Sequence, residues 1–369
     1  MERGVGKRVQ RIELIMTENV DLTAELKSAV LASGIDMVGV ASIELPEVRQ
    51  GVYVHSQPRT LMSEARAVII TGFCVRYEPK PIQSQPGIPR GLLPPCGSRA
   101  FKQMDAHCHR TVGGFLRKKG FRIVDGSQIS IKPAVVGAGL GYYGKHSVVV
   151  TRDLGSWVMF SCFVTDAPLA VQDCSPYGGT GCPDGCDLCA KACPTAAIAA
   201  PYCVEPSRCV THWLWGNFAP PELRSKQENR LFGCGECLSV CPKNRHVELR
   251  RSYPVPIDEL DDGPELLPLL RADNEYFKRA IPSFALDAGI EAIRGNAIIA
   301  LGNIGDPVAV KGLGFTLRHG IPQNRAYSAW ALGRIGGRRA RRVLQRALKE
   351  EDERSVIAEI TRELDSASG

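Results

Sequence analysis

No stretch of about 18 consecutive apolar residues occurs in this 369-residue chain, so no single helix is expected to span a membrane. The basic N-terminus, MERGVGKRVQRIELIMTENV, lacks an apolar central region and is not expected to act as a secretory signal, and Met16 is an alternative start. A large excess of one sign of charge is missing. The 46 Lys and Arg against 39 Asp and Glu leave +7, which permits a polyanionic partner without requiring one. A secreted-type disulfide framework is also missing. The 14 cysteines fit a reducing compartment in which thiolates bind metal, and a cytoplasmic protein is expected. One more absence decides a motif. Residues 139–146, GLGYYGKH, satisfy G-x-G-x-x-G and all of a phosphate loop except its final Ser or Thr. Both motifs need a helix to begin after the glycines, yet a β-branched run, Ser147–Thr151, follows, and His146 stands where the hydroxyl belongs. Dinucleotide and ATP sites are excluded there.

What the chain does have is a cysteine framework between Cys182 and Pro242. Cys182, Cys186, Cys189 and Cys193-Pro194 are followed by Cys234, Cys237 and Cys241-Pro242. Runs closed by Cys-Pro hold cubane iron–sulfur clusters, and the cysteine before the proline reaches the other cluster. Cys182, Cys186, Cys189 and Cys241 are therefore expected to hold one [4Fe-4S] cluster. Cys193, Cys234 and Cys237 are expected to hold a second, with Cys209 as its fourth ligand and Cys203 as the alternative. The first gap is x3 where x2 is usual, which makes Cys182 the ligand in question. Structural zinc is the rival, but it does not need two interleaved Cys-Pro runs.

Before this framework, strands at 36–41 and 65–75, a proline-rich irregular loop at 76–98, a helix at 99–119 and a strand ending at Asp125 predict a layered α/β domain to about residue 170. The segments PAVVGAGLGYYGKHSVVVTRD and SWVMFSCFVTDAPLA are read as supplying two more strands. After it, a connector leads to a repeat. Arg294 and AlaLeuGlyAsnIleGly (300–305) match Arg325 and AlaLeuGlyArgIleGly (331–336), with a partial third copy from Arg354. This period marks HEAT-type helical repeats. The second copy is basic at Arg334, Arg338, Arg339, Arg341, Arg342, Arg346 and Lys349, which reads either as a solvated face or as a phosphate-binding patch.

This order of parts resembles the epoxyqueuosine reductase family, cobalamin-dependent iron–sulfur enzymes of tRNA modification related to reductive dehalogenases. The matching segments are SRAFKQMDAHCH (98–109), VDGSQISIKPAVVGAGLGYYGKHS (124–147), the cysteine runs and IRGNAIIALGN (293–303). Ala100, Ala106 and Ile131 depart from the family, which carries two aromatic residues and a carboxylate there. The resemblance implies an α+β multidomain protein. It would comprise a nitroreductase-like α/β corrinoid-binding domain over 17–170, a ferredoxin-like module with two [4Fe-4S] clusters over 171–250, and a connector with HEAT-like repeats over 251–369. It also implies Asp125 as the catalytic acid, although Asp-Gly at a strand end also reads as a turn cap. Ser130, Lys132, Tyr143 and His146 are implied to line the cobalamin site. His107, His109 and His146 are not expected to ligate cobalt, and Cys74, Cys96, Cys108, Cys162 and Cys174 read as small core or loop residues.

The function so implied is reduction of epoxyqueuosine in tRNA to queuosine. Electrons would come from a low-potential donor such as ferredoxin or flavodoxin, and tRNA would be held through Arg338, Arg339, Arg341 and Arg342. The alternatives are a corrinoid-dependent reductase of a small molecule, as in reductive dehalogenases, and a non-catalytic electron-transfer protein with two [4Fe-4S] clusters.

Overall fold

The computed structural model describes residues 21–45, 49–50, 53–54, 56–76, 83–93, 100–172, 174, 181–248, 252–256, 263–281 and 285–366. Met16, Cys96 and the Ser98-Arg99 pair lie outside the described residues. The chain divides into two units: Met1–Arg76 with Ala100–Asp187 and Val240–Ile257, and Tyr77–Arg99 with Leu188–Ser239 and Asp258–Gly369.

The first unit is built on the strand β2 (Ala67–Cys74), whose eight residues are all buried. Such a run is stable only where both faces of a sheet are covered. Ala67, Ile69 and Phe73 pack into one core with Leu26 and Val30 of helix α1 (21–32) and with helix α2 (Phe101–Lys118). Val68 and Ile70 face the opposite core with Ala134, Val135 and Val136 of helix α3 (Ile131–Gly137). With β1 (Met37–Ala41), β3 (Ile123–Asp125) and β6 (Val158–Thr165), the sheet order is β1-β2-β6-β3, and every neighbouring pair is antiparallel. Helix α2 buries Met104, Cys108, Val112 and Leu116, a stripe at i+4 spacing that fits one helical face.

The segment after Asp125 differs from the sequence expectation of strands alone. Residues 131–137 are helical because burial of Val135 and Val136 against the sheet outweighs their weak helix propensity. A hairpin follows, with β4 (Gly141–Tyr143) antiparallel to β5 (Val149–Thr151). No helix follows Gly144, as the rejection of the phosphate-loop reading requires.

In the second unit the helices α4 (Ile290–Ile304), α6 (Pro322–Ile335) and α8 (Arg354–Ser366) pack side by side, with α5 (Val310–His319) and α7 (Gly337–Glu350) as a second layer. The repeat period has a steric cause. A β-carbon on Gly302 would lie 2.8 Å from Ala331 Cα, and one on Gly333, the same position in the next copy, would meet the Glu363 side chain of α8. A glycine at this place in each repeat lets the next helix approach closely. The cysteine segment is built into the same core. Asn296 of α4 is buried and donates to the Leu214 and Leu231 carbonyls at 2.9 and 3.0 Å. The described part of the proline-rich loop belongs here as well: Leu93 is in this core, and Leu92 N–H donates to Asn229 O at 2.8 Å. Among the described residues, no helix is long and apolar enough to cross a membrane.

Candidate functional site

In the first unit, the sheet end and the β4–β5 hairpin carry the expected site residues. Asp125 closes β3. Its carboxylate accepts from Ser127 N–H at 3.3 Å and from the Ser127 hydroxyl, and lies 3.5 Å from His109 Nε2. The turn-capping geometry expected of Asp-Gly is therefore present, together with a close contact to the His109 ring. The carboxyl is 53% exposed, so this conformation does not remove it from water. His109 is not among the predicted site residues. It also reaches Asp105 at 3.7 Å, one helical turn away, and its ring meets Phe163 edge-on at 4.7 Å. The i,i+4 spacing of Asp105 and His109 was the available signal.

Ser130 is buried at the start of α3, and Lys132 lies in its first turn. Lys132 Nζ donates to the Ser147 carbonyl at 2.9 Å, which brings it to the hairpin that carries Tyr143 and His146. His146 is only 4% exposed. Its Nδ1 accepts from Val148 N–H at 3.2 Å, so the proton of the neutral ring belongs on Nε2. That Nε2 is buried without a partner, and so is Ser147 Oγ, in a residue with φ +61°. Buried polar groups without partners mark a place where a ligand's polar atoms belong. Gly144 makes room for the imidazole: a β-carbon there would lie 2.6 Å from His146 Cε1. Of the departures, Ala100 is buried in the α2 core, Ala106 is exposed and Ile131 packs against the α3 core, so none of them offers a polar contact.

Burial, and after it the Lys132 ammonium, push the His146 imidazole down to about 4. Between the ordinary value near 6.5 and about 4, the unfolded chain binds a proton that the folded protein does not. Stability is thus fully present above pH 6.5 and falls as the pH drops towards 4, by ~3 kcal/mol. His146→Asn is expected to flatten this part of the profile, read as the urea midpoint at pH 5 against pH 7. An unchanged slope in the variant would remove His146 as its source.

The cysteines divide between the units. In the first, Cys182 and Cys186 are half-buried on one loop, and Cys241 is buried ahead of a 3-10 turn at Pro242–Asn244. In the second, Cys237 faces Cys234, Cys209, Cys189 and Cys193, and burial together with those neighbouring thiols pushes it up to about 12. Burial also raises the Cys234 thiol, and Cys209 adds to the effect. Cys193 is lowered: burial opposes this, but the Thr195 and Ala197 N–H groups outweigh it, with Ala197 N–H 3.2 Å from Cys193 Sγ. Thiols that repel one another's charge become thiolate ligands when a cationic core sits among them, and an iron–sulfur cluster fits this donor set. Cys203 is exposed on the hairpin of Ile198–Ala200 and Cys203–Val204. Among the described residues, no three His, Cys, Asp or Glu side chains converge on a single-ion site.

The 4Fe-4S double cluster binding domain family matches residues 182–244, and HEAT repeats match 284–365. The chain is similar to the epoxyqueuosine reductase of Listeria monocytogenes, 32% identical over 243 residues, covering 65% of this chain and 63% of that protein. The Staphylococcus aureus enzyme is 28% identical over 314 residues, covering 82% and 80%. The alignments to the first curated relatives span 63–64% of those proteins. Among solved structures, epoxyqueuosine reductase from Bacillus subtilis, with its aspartate catalytic loop swung out of the active site, has a TM-score of 0.81 at 24% identity, covering 94% of this chain and 98% of that one. An epoxyqueuosine reductase with an epoxyqueuosine-modified tRNA-Tyr stem loop has a TM-score of 0.81 at 24% identity, covering 95% and 99%.

Proposed function

We propose that the chain is a member of the epoxyqueuosine reductase family, an oxidoreductase that reduces epoxyqueuosine in tRNA to queuosine; relatives 30–32% identical over 63–64% of their own length support the reading. Cys182, Cys186, Cys189 and Cys241 hold one [4Fe-4S] cluster, and Cys193, Cys209, Cys234 and Cys237 hold the other. Low-potential electrons enter from a donor of the ferredoxin or flavodoxin type. The observation that carries the reading is the unpartnered pair His146 Nε2 and Ser147 Oγ, in the same unit as the Cys182–Cys186 loop.

The residues present fit a corrinoid there. His146 would donate from Nε2 to a carboxamide or phosphate oxygen, and Ser147 Oγ would add a second hydrogen bond. Ser130 and Lys132, at the start of α3, and Tyr143, on the hairpin, would line the same site. When bound, the corrinoid supplies the low-potential reducing centre that the substrate needs. Asp125 supplies the proton. Its carboxyl is half exposed in this conformation, and the Bacillus subtilis enzyme with its catalytic loop swung out supports a loop that moves between two positions.

tRNA is held by Arg338, Arg339, Arg341 and Arg342, all exposed on α7. The acidic residues that follow are engaged elsewhere: Glu350 with Arg346 and Arg318, and Glu351 with both arms of Arg325 at 2.8 and 2.9 Å. Arg339 and Arg346 also line a cavity of about 390 Å³, where the Arg271 guanidinium lies 4.1 Å above the Phe315 ring.

The test offers epoxyqueuosine-containing tRNA and a strong reductant to anaerobically prepared protein supplied with cobalamin, and measures queuosine. Asp125→Asn keeps the shape without the acidic proton and is expected to lower turnover about 10²–10⁴-fold with corrinoid retained. Replacing the four arginines with Ala is expected to weaken tRNA binding and flatten its salt dependence, with iron content unchanged. Protein with full clusters and bound corrinoid that leaves this tRNA unbound and unconverted would redirect the assignment to a small-molecule substrate.

A further inference from the structure

Lys145 ends the GLGYYGK run, where the failed phosphate-loop match leaves it without a role. Its ammonium turns to the first cysteine loop instead. Nζ donates to the Cys186 carbonyl at 2.9 Å and to the Pro183 carbonyl at 3.4 Å. The Lys145 backbone N–H donates to Cys182 Sγ at 3.4 Å. Tyr142, on the same hairpin, closes over Gly181, where a β-carbon would lie 2.3 Å from Tyr142 Cζ. One hairpin thus grips residues 181–186 at four points.

The gripped segment is the one with the x3 gap. Its extra residue needs a turn, which Gly185 takes at φ +66°. It also leaves loop carbonyls that need donors. An ammonium with three N–H groups can serve two of them at once.

The geometry points to Lys145 as the positioning residue of the Cys182–Cys186 loop, and as the cation that raises the reduction potential of the cluster this loop holds. The inference rests on the two-cluster reading above. Reduction adds one electron from the low-potential donor, with no bond broken and no proton moved, so the cluster gains one negative charge. A nearby ammonium and an N–H on a ligand sulfur both stabilise that charge, and both are established means of setting cluster potentials. The other cluster site has N–H donors on sulfur of its own, Ala197 to Cys193 Sγ at 3.2 Å, but its nearby cation is neutralised. Arg230 faces Cys234, but Glu228 and Glu236 pair with it, each at 2.5 Å. Loss of the Lys145 charge should therefore lower the potential of the cluster that includes Cys182 and leave the other where it was.

The experiment is a potentiometric titration of both clusters by electron paramagnetic resonance, with iron analysis, on wild type, Lys145→Gln and Lys145→Arg. In Lys145→Gln, one cluster is expected to fall in potential until its reduced-to-oxidised ratio at a fixed potential drops about tenfold, ~59 mV for one electron. The other cluster stays where it was, and Lys145→Arg restores the first. Loss of one cluster's iron in Lys145→Gln, recovered in Lys145→Arg, equally supports the positioning role. Full iron with both potentials unmoved in Lys145→Gln would overturn the inference alone. Wild-type protein with zinc in place of iron would overturn the two-cluster reading, and this inference with it.

Discussion

Cys193→Ala and Cys237→Ala are expected to deplete the same cluster, while Cys186→Ala and Cys241→Ala deplete the other. Each variant should fall from about eight irons per chain to about four, and each should lose turnover. The pairing crosses the sequence: Cys193 lies in the first cysteine run and Cys241 in the second. Cys237 lies near Cys234, Cys209 and Cys193, as this assignment requires, and also near Cys189, which the assignment gives to the other cluster. Removing one thiolate from such a set leaves an iron without a ligand, and the remaining buried thiols return to their neutral form. Iron analysis and the resonance spectrum of each variant decide the matter. If Cys193→Ala removes the same signal as Cys186→Ala, the ligands group by motif and the interleaved assignment is wrong. Cys209→Ala should behave like Cys237→Ala, and Cys203→Ala should retain both clusters.

The second large effect concerns stability. Arg224 is 0% exposed, and its Nη1 donates to Glu359 of α8 at 2.8 Å, a carboxylate itself 5% exposed. Nε donates to the Ala219 carbonyl at 3.0 Å, and the guanidinium lies 4.9 Å from the centre of the Tyr327 ring and 5.7 Å from that of Trp330. Arg224→Met is expected to cost about 3–5 kcal/mol, because it leaves a buried carboxylate without its main counter-charge. Arg362 still reaches Glu359 at 3.1 Å, but it is half exposed and compensates only in part. Adding Glu359→Leu should recover much of the loss, since two apolar groups in place of a buried pair leave nothing uncompensated. The measurement is a urea unfolding series of both variants and the double variant. A loss below ~0.5 kcal/mol in Arg224→Met would show that the pair contributes no more than an exposed one.

The cluster chemistry and the repeats were legible in the sequence for one physical reason: both depend on spacing along the chain. Cys-Pro runs present thiolates at intervals set by the backbone. The helical repeat returns Arg and the Leu-Gly pair at the same interval because each helix must meet the next in the same way. The strand after Gly144 was legible too, since β-branched residues from Val148 onward resist a helix.

Tertiary structure decided what depends on which distant groups meet. It placed Cys209 against Cys237 and left Cys203 exposed. It made a helix of Ile131–Gly137, because burial against the sheet outweighed local propensity. It paired Asp125 with His109, left His146 Nε2 unpartnered, and turned Lys145 from an apparent phosphate ligand into a clasp on the cysteine loop. Arg224 reads in the sequence as an ordinary charged residue of PELRSK; only the aromatic rings and Glu359, brought up by helices more than a hundred positions later, bury it. Spacing is a property of the chain, whereas burial, ion pairing and the absence of a partner belong to the fold.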